Sequence, residues 1–513
     1  MSEITKINPR DYQKKIFETA KENNTLVVLP TGLGKTLIAL LLTIHRLKEF
    51  PGSKILFLAP TRPLVEQHFF YFKKHLPELF AQLDLFTGET PAASRKKLFQ
   101  KAEIIFSTPQ CIANDLEKNL YALNEVSLLI VDEAHRCLKN YSYTKVVKSY
   151  KEQAENIKIL GLTASPGQDP DLVRQICHHL SINEIELRTR DSLDVKQYLQ
   201  ELEFQKVEVP FPQELIELRV LLKRIWDSRI ERLKKSDFLF GPANKITLLE
   251  LQKRLALQAS KKSVPAMIGM SITAQAIKIA HAIELLETQT LSGLKEYLDN
   301  LKLQADENKS KAVKTLVSLP EFKACQLSLD ELLKKEIEHP KIEELAVLAE
   351  NEFNQNIKTK IIVFTQFRET ASKIKSRLKK IKSIKPEIFI GQAKKKGLGY
   401  SQKEQKNIIE KFKNNEINVL IATSIGEEGL DIPEVNAVIF YEPVPSAVRK
   451  IQRAGRTARL ASGKLFILVT KDTRDEVHHY ASSAREKKMH KTIEKIKAEL
   501  KEKKKNPALN TFK

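Results

Sequence analysis

Two series of short aliphatic and β-branched runs constrain this chain more than any other feature. Thr25–Leu29, Ile55–Ala59, Ile104–Ser107, Leu128–Val131 and Ile159–Leu162 make the first series. Ile361–Phe364, Ile388–Ile390, Val419–Ala422, Ala437–Phe440 and Leu465–Val469 make the second. These runs lack apolar/polar alternation, and longer amphipathic stretches separate them. Strands read this way when helices cover both faces of a parallel sheet. From about Phe211 to Asp330 the strand runs vanish. Leu, Ile, Lys and Glu recur there at helical spacing, as in Leu215, Leu218, Leu222 and Ile225, and Pro210, Pro212, Pro242, Pro265 and Pro320 divide the stretch into several helices. The run Phe204–Val209 reads as one more strand, assignable to the second series. The expected fold class is α/β: two parallel-sheet domains, 1–195 and 336–475, a mainly helical insertion, 196–335, and a basic helical tail, 476–513.

Composition narrows the class of function. The chain has 513 residues, 42% of them hydrophobic, which is ample for several cores and excludes a disordered chain. The longest apolar run, Leu37–Ile44, falls far short of the ~18–20 residues of a membrane span. Met1–Gln13 has no apolar signal segment, so no membrane partner is expected. Four scattered cysteines with no CxxC pair argue against a disulfide or zinc framework and fit a cytoplasmic location. Lys plus Arg number 86 against 64 Asp plus Glu, a formal charge of +22, which biases the partner toward a polyanion such as nucleic acid.

Chemistry concentrates at the ends of the predicted strands. Pro30-Thr31-Gly32-Leu33-Gly34-Lys35-Thr36 lies between a strand and a predicted helix, the context of a P-loop. Gly32 and Gly34 let the backbone N–H groups of Thr31 to Gly34 face the phosphates of ATP. Lys35 adds a point charge, and the Thr36 hydroxyl can ligate Mg²⁺. Leu29 stands where the general pattern has its first glycine. Asp132-Glu133-Ala134-His135 ends the strand Leu128–Val131 in adjacent carboxylates. Asp132 can hold Mg²⁺, and Glu133 can orient and deprotonate the attacking water. Gln452, Arg456 and Arg459 fall on the second series, where the two arginines, three apart, can stabilise charge on a γ-phosphate. A basic solvated face or a nucleic-acid contact explains that segment alone equally well.

In order along the chain, these residues amount to the signature of superfamily 2 helicases. Arg10 and Gln13 resemble the adenine-reading Q motif, and Pro30–Thr36 resembles motif I. Ala59–Leu64 is similar to motif Ia, Thr87-Gly88 to the TG motif and Ser107–Gln110 to motif Ib. Asp132–His135 is a DEAH-type motif II, and Thr163-Ala164-Ser165 is a reordered motif III. Phe364–Arg368 resembles motif IV, Ala422–Asp431 motif V and Gln452–Arg459 motif VI, with Ala458 for the usual Gly. Asn140–Tyr143 after motif II, and Gly399–Gln405, further resemble archaeal Hef helicases and their eukaryotic relative, the Fanconi anaemia M translocase.

That resemblance implies two RecA-like lobes that sandwich ATP and Mg²⁺. Gly429 and Asp431 would join the nucleotide contacts. Thr61, Arg62, Gly88 and Thr108 on one lobe, and Gln366 and Thr423 on the other, would hold DNA phosphates. The implied activity is an ATP-dependent DNA helicase or translocase acting on forked or branched DNA in replication-fork repair. The alternative is an ATP-gated double-stranded RNA translocase, and Ala134, where such sensors carry Cys, weighs against it. Lys223–Lys262 holds eleven basic against four acidic residues, so Lys234, Lys235, Lys253 and Arg254 are candidate nucleic-acid contacts. A solvated bundle is the alternative there. Archaeal Hef proteins usually continue into a nuclease domain. This sequence ends at Lys513 without one, so a nuclease is expected on a separate chain or on sequence beyond this one. Leu509 and Phe512 keep the spacing of a sliding-clamp-binding peptide, which makes the replication clamp an expected, weak partner.

Overall fold

The computed structural model describes residues 7–77, 79–139, 141–199, 201–260, 263–391, 400–423, 432–444, 446, 449, 453, 457 and 462–505. Gln452, Arg456, Arg459, Gly429, Asp431 and the clamp-like segment 506–513 lie outside the described residues.

The first series of runs forms strands β1 (Thr25–Val28), β2 (Lys54–Leu58), β4 (Ile104–Ser107), β5 (Val126–Val131) and β6 (Ile159–Thr163). Two further strands join them, β3 (Leu83–Phe86) and β7 (Glu184–Leu187), as the two edges. All pairs are parallel, in the order β3-β4-β2-β5-β6-β1-β7. The inner strands are buried throughout, so helices cover both faces, which is why those runs never alternate.

The second sheet contains β8 (Leu202–Val209), β9 (Ile361–Phe364), β10 (Pro386–Phe389), β11 (Val419–Ala422), β12 (Ala437–Phe440) and β13 (Gly463–Thr470). Their order is β10-β11-β9-β12-β13-β8, again all parallel. β8 precedes the helical segment in sequence yet pairs with β13 along all eight of its residues.

Between β8 and β9 in sequence comes a helical bundle: Gln213–Lys235, Lys245–Ala259, Val264–Thr288, Leu291–Asp306, Lys311–Val317 and Pro320–Lys334. Pro265 and Pro320 occupy first-turn positions, where a missing N–H costs nothing. Val264–Thr288 is the one helix among the described residues long and apolar enough to span a membrane. Over half of its most apolar stretch is buried against bundle partners instead. Trp226 packs between the two cores of the bundle.

The helix Arg474–Lys505, expected as a tail, leaves β13 and returns to the first sheet. Met489, Ile493 and Ile496 are buried there beside Val173, Ile176 and Ile185. Arg174 pairs with Glu499 at 2.9 Å, and the Ser165 hydroxyl contacts Met489 Sδ at 2.7 Å.

A buried polar network joins the bundle to the second sheet. Glu442, just past β12, accepts from Thr365 Oγ1 (3.2 Å) and Gln289 Nε2 (3.4 Å). Burial, with Asp475 adding to it, pushes the Glu442 carboxyl up to about 7 despite Arg453 and Lys341 nearby. A carboxyl raised on folding favours the folded state at low pH, and that contribution is lost as pH rises from the unfolded value through about 7. Thermal stability should therefore fall between pH 5 and pH 7.5, and Glu442→Gln should remove that part of the slope, about 3 kcal/mol by pH 8. Unchanged melting profiles in the variant would refute this.

Candidate nucleotide and nucleic-acid sites

In parallel α/β sheets, ligands collect at the carboxyl ends of the strands. In the first sheet those ends divide into two groups. β1 and β5 carry the phosphate-loop and carboxylate residues, and the adjacent β3, β4 and β2 carry Gly88, Thr108 and Thr61.

The loop after β1 turns through Gly32 and Gly34, at φ +87° and +80°, into the helix Lys35–Glu49. Non-glycine residues avoid this conformation, and a Cβ on Gly34 would collide with Gln13 Nε2. Gln13 Nε2 and the Tyr12 hydroxyl both donate to the Leu33 carbonyl, at 3.2 and 2.8 Å, so the Q-motif helix braces the loop. Arg10 lies over the Tyr198 ring, 5.2 Å from its centroid. Lys35 Nζ donates to the Leu29 carbonyl at 2.7 Å.

Across the sheet, the Asp132 N–H donates to Leu58 O, and the Tyr143 hydroxyl donates to the Asp132 carbonyl at 2.6 Å. His68 Nε2 lies 2.8 Å from Asp132 Oδ2, and its Nδ1 lies 3.5 Å from Thr36 Oγ1. Burial opposes the Asp132 charge, but His68, with Lys35 behind it, holds the carboxyl below its ordinary range. His68 thus bridges the two oxygen groups that sequence assigns to a metal. Glu133 sits at φ +49°, a left-handed conformation uncommon for a long side chain and frequent at functional sites. Its buried Oε2 receives no hydrogen bond. His135 Nδ1 lies 3.3 Å from that oxygen and 3.1 Å from Thr163 Oγ1, which accepts from the Ser165 N–H.

The second group forms a row. Thr61 and Thr108 are the N-caps of the helices Arg62–His75 and Pro109–Glu117, and neither side chain caps its helix. Thr61 Oγ1 is buried with no hydrogen-bond partner. Two helix N-termini with uncommitted hydroxyls suit anionic oxygens. Gly88 is exposed, and open space surrounds the position of a Cβ. Arg62 is engaged with Glu66 and Glu89. In the second sheet, Gln366 and Thr423 follow the paired strands β9 and β11. In the bundle, Lys234, Lys235, Lys253 and Arg254 are exposed. Arg254 donates to the Phe238 carbonyl, just past Lys235, and Lys235 pairs with Glu231 at 2.7 Å.

Sequence reasoning assigned no role to His68 or Tyr143. His68 was detectable in principle: Val65, His68 and Phe72 are the buried positions of their helix, so a polar ring occupies its core face.

Residues 10–173 match the family DEAD/DEAH box helicase, and residues 340–461 match the helicase conserved C-terminal domain. Residues 214–337 match a helical bundle of ATP-dependent RNA helicases. A Methanocaldococcus jannaschii protein named as an ATP-dependent RNA helicase, MJ1505, is 37% identical over 492 residues, covering 96% of this chain and 61% of that one. The ATP-dependent DNA helicase fml1 of Schizosaccharomyces pombe is 34% identical over 474 residues, covering 90% and 57%. This chain therefore spans about three-fifths of those relatives. The crystal structure of the Pyrococcus furiosus Hef helicase domain aligns at a TM-score of 0.70 with 40% identity, covering 92% of this chain and 98% of that one.

Proposed function

The chain belongs to the Hef and fml1 branch of the DEAD/DEAH box helicases, and on that premise we propose that it is an ATP-driven DNA helicase or translocase that remodels forked or branched DNA. The observation that carries this reading is the division of one sheet edge. Lys35, Thr36, Asp132 and Glu133 gather at β1 and β5, while Thr61, Thr108 and Gly88 stand in a row at β2, β4 and β3.

In this reading the backbone from Thr31 to Gly34 cradles the phosphates, and Lys35 leaves the Leu29 carbonyl to meet them. Arg10 and Gln13 face the adenine end. Thr36 and Asp132 offer the hard oxygen donors that suit Mg²⁺, which when bound neutralises charge on the β- and γ-phosphates. His68 holds those two groups in register. Glu133, whose buried Oε2 receives no hydrogen bond and lies 3.3 Å from His135 Nδ1, would take a proton from the attacking water. Gln452, Arg456 and Arg459 would approach from the second lobe, beside Gly429 and Asp431. His135, Thr163 and Ser165 carry changes at Glu133 toward the lobe interface, where Ser165 meets Met489 of the returning helix. Small hydroxyls and backbone N–H groups contact phosphates without reading bases, which suits a motor that tracks any sequence. Residues 1–195 act as one lobe and 336–475 as the other; of the insertion expected at 196–335, β8 belongs to the second lobe's sheet, and the helical bundle supplies an arm toward duplex DNA. A replication clamp and a separate nuclease are partners such a role would use.

The test compares ATP turnover with single-stranded DNA, forked DNA, a Holliday junction and duplex RNA. Forked or junction DNA should stimulate most, and duplex RNA as the best activator would overturn the reading. Neutralising Lys234, Lys235, Lys253 and Arg254 together should weaken forked-DNA binding more than single-strand binding. It should also flatten the dependence of log affinity on log salt by ~3–4 units. An unchanged slope would leave the arm a solvated bundle.

A further inference from the structure

Arg62 opens the helix Arg62–His75 at the row of candidate phosphate contacts, but its guanidinium is already occupied by carboxylates. Its Nε donates to Glu66 Oε1 at 2.7 Å, and its Nη1 donates to Glu89, which follows Gly88. Glu66 does not stop at Arg62. Its second oxygen, Oε2, accepts from Lys406 Nζ at 2.7 Å. Lys406 lies on the helix Gln402–Lys413, which packs beside β10 of the second sheet, so this contact crosses between lobes. Glu66 is mostly shielded, with 12% of its side chain exposed, whereas Glu89 and Lys406 are more than half exposed. Burial alone would raise the Glu66 carboxyl, but Lys406 and Arg62 outweigh it and keep the group charged at neutral pH.

One carboxylate therefore meets, through one oxygen each, the cation proposed to grip DNA and a cation of the opposite lobe. A carboxylate presents to a guanidinium much the same planar pair of anionic oxygens as a phosphate. We propose that Glu66 is a positioning residue that stands in for a DNA phosphate: it occupies Arg62 and ties the lobes through Lys406 until a backbone phosphate displaces it. Gripping DNA and releasing the second lobe then become one exchange. Without DNA, the tie holds the lobes in one arrangement and suppresses idle turnover. With DNA, Arg62 changes partner and Lys406 loses its anchor.

This rests on Arg62 being a phosphate contact, and the variants separate the two claims. Glu66→Gln, Arg62→Gln and Lys406→Gln variants of the 513-residue chain are compared by fluorescence anisotropy with forked DNA, without nucleotide, across a salt series. ATP turnover without DNA is measured in parallel, and a thermal melt checks folding. Glu66→Gln keeps the shape and removes one of the two charges that compete for Arg62, the shielded one that also reaches Lys406. It should tighten binding about three- to tenfold at ~0.1 M salt. It should also steepen the log affinity against log salt by up to ~0.9, because the Arg62–phosphate contact is then offset by one internal ion pair fewer, the pair with Glu89 remaining. Its DNA-free turnover should rise several-fold. Lys406→Gln should raise DNA-free turnover without steepening the salt slope. A destabilised fold cannot produce tighter, more salt-dependent binding. If Arg62→Gln leaves DNA affinity unchanged, the assignment of Arg62 fails. If Arg62→Gln weakens binding but Glu66→Gln neither tightens nor steepens it, the stand-in role is wrong and the DNA reading survives. DNA-free turnover unchanged in both Glu66→Gln and Lys406→Gln would remove the lobe tie.

Discussion

Glu133→Gln should bind ATP as the parent protein does and hydrolyse it ~10²–10⁴-fold more slowly on forked DNA. The magnitude is what a positioned general base contributes. No hydrogen bond reaches the buried Oε2 of Glu133. The contacts described above as bracing the loop, from Tyr12 and Gln13 to Leu33 and from Lys35 to Leu29, do not involve its carboxylate. Lys35→Ala should do the opposite. Its ammonium is held at the Leu29 carbonyl beside the loop, so its loss removes positive charge from the phosphate cradle and weakens nucleotide binding itself. Equilibrium binding of a fluorescent ATP analogue, paired with single-turnover hydrolysis, distinguishes the two. Hydrolysis near the parent rate in Glu133→Gln would place the base elsewhere, with His135 the next group in reach of the same space.

The central strands of both sheets were legible because burial on two faces leaves a continuous apolar run. The edge strands of the first sheet were not, although those of the second, β10 and β8, were read in the runs Ile388–Ile390 and Phe204–Val209. β3 carries Asp84, and β7 carries Glu184 and Glu186, and each strand has one open side, so hydrophobicity gives no warning of them. Pairing with β4 and β1 decides their structure, and that is tertiary information. The phosphate-loop glycines were legible because the turn demands φ values other residues avoid. His68 escaped because its partner, Asp132, is far away in sequence and the two meet only when β2 and β5 pair. Glu66 escaped for the same reason, its Lys406 partner belonging to the other lobe. The path of Arg474–Lys505 was equally hidden. Its lysines advertise a solvated tail, while its few apolar residues, Met489, Ile493 and Ile496, form the stripe that docks on the first sheet.

The largest effect on stability should come from Lys341→Met. Lys341 is fully buried at the start of the helix Lys341–Gln355. Its ammonium donates to Asp475 Oδ2 at 2.5 Å, to Thr288 O at 2.9 Å and to Tyr441 O at 3.2 Å. Those three partners belong to the start of Arg474–Lys505, the end of the bundle helix Val264–Thr288 and the segment after β12, so a single cation pins four elements. Desolvating two charges is expensive, and such a pair is weak support for net stability compared with apolar residues of the same shape. Removing one partner is different, because Asp475 is left charged, buried and uncompensated. The expected cost is ~3–5 kcal/mol, or roughly 10 °C in the unfolding of the second lobe with its bundle. Burial already pushes the Asp475 carboxyl upward, and Lys341 is the first group opposing that push. Without Lys341 the carboxyl should rise further, so a proton taken up at pH 5.5 relieves part of the penalty. The loss should be larger at pH 8, where the folded state must carry the bare charge. Lys341→Met with Asp475→Leu removes both charges and should recover most of the stability at either pH. Thermal melts of the single and double variants at the two pH values measure this directly. A double variant no more stable than Lys341→Met would mean that the amine stabilises through the Thr288 and Tyr441 carbonyls rather than through the ion pair.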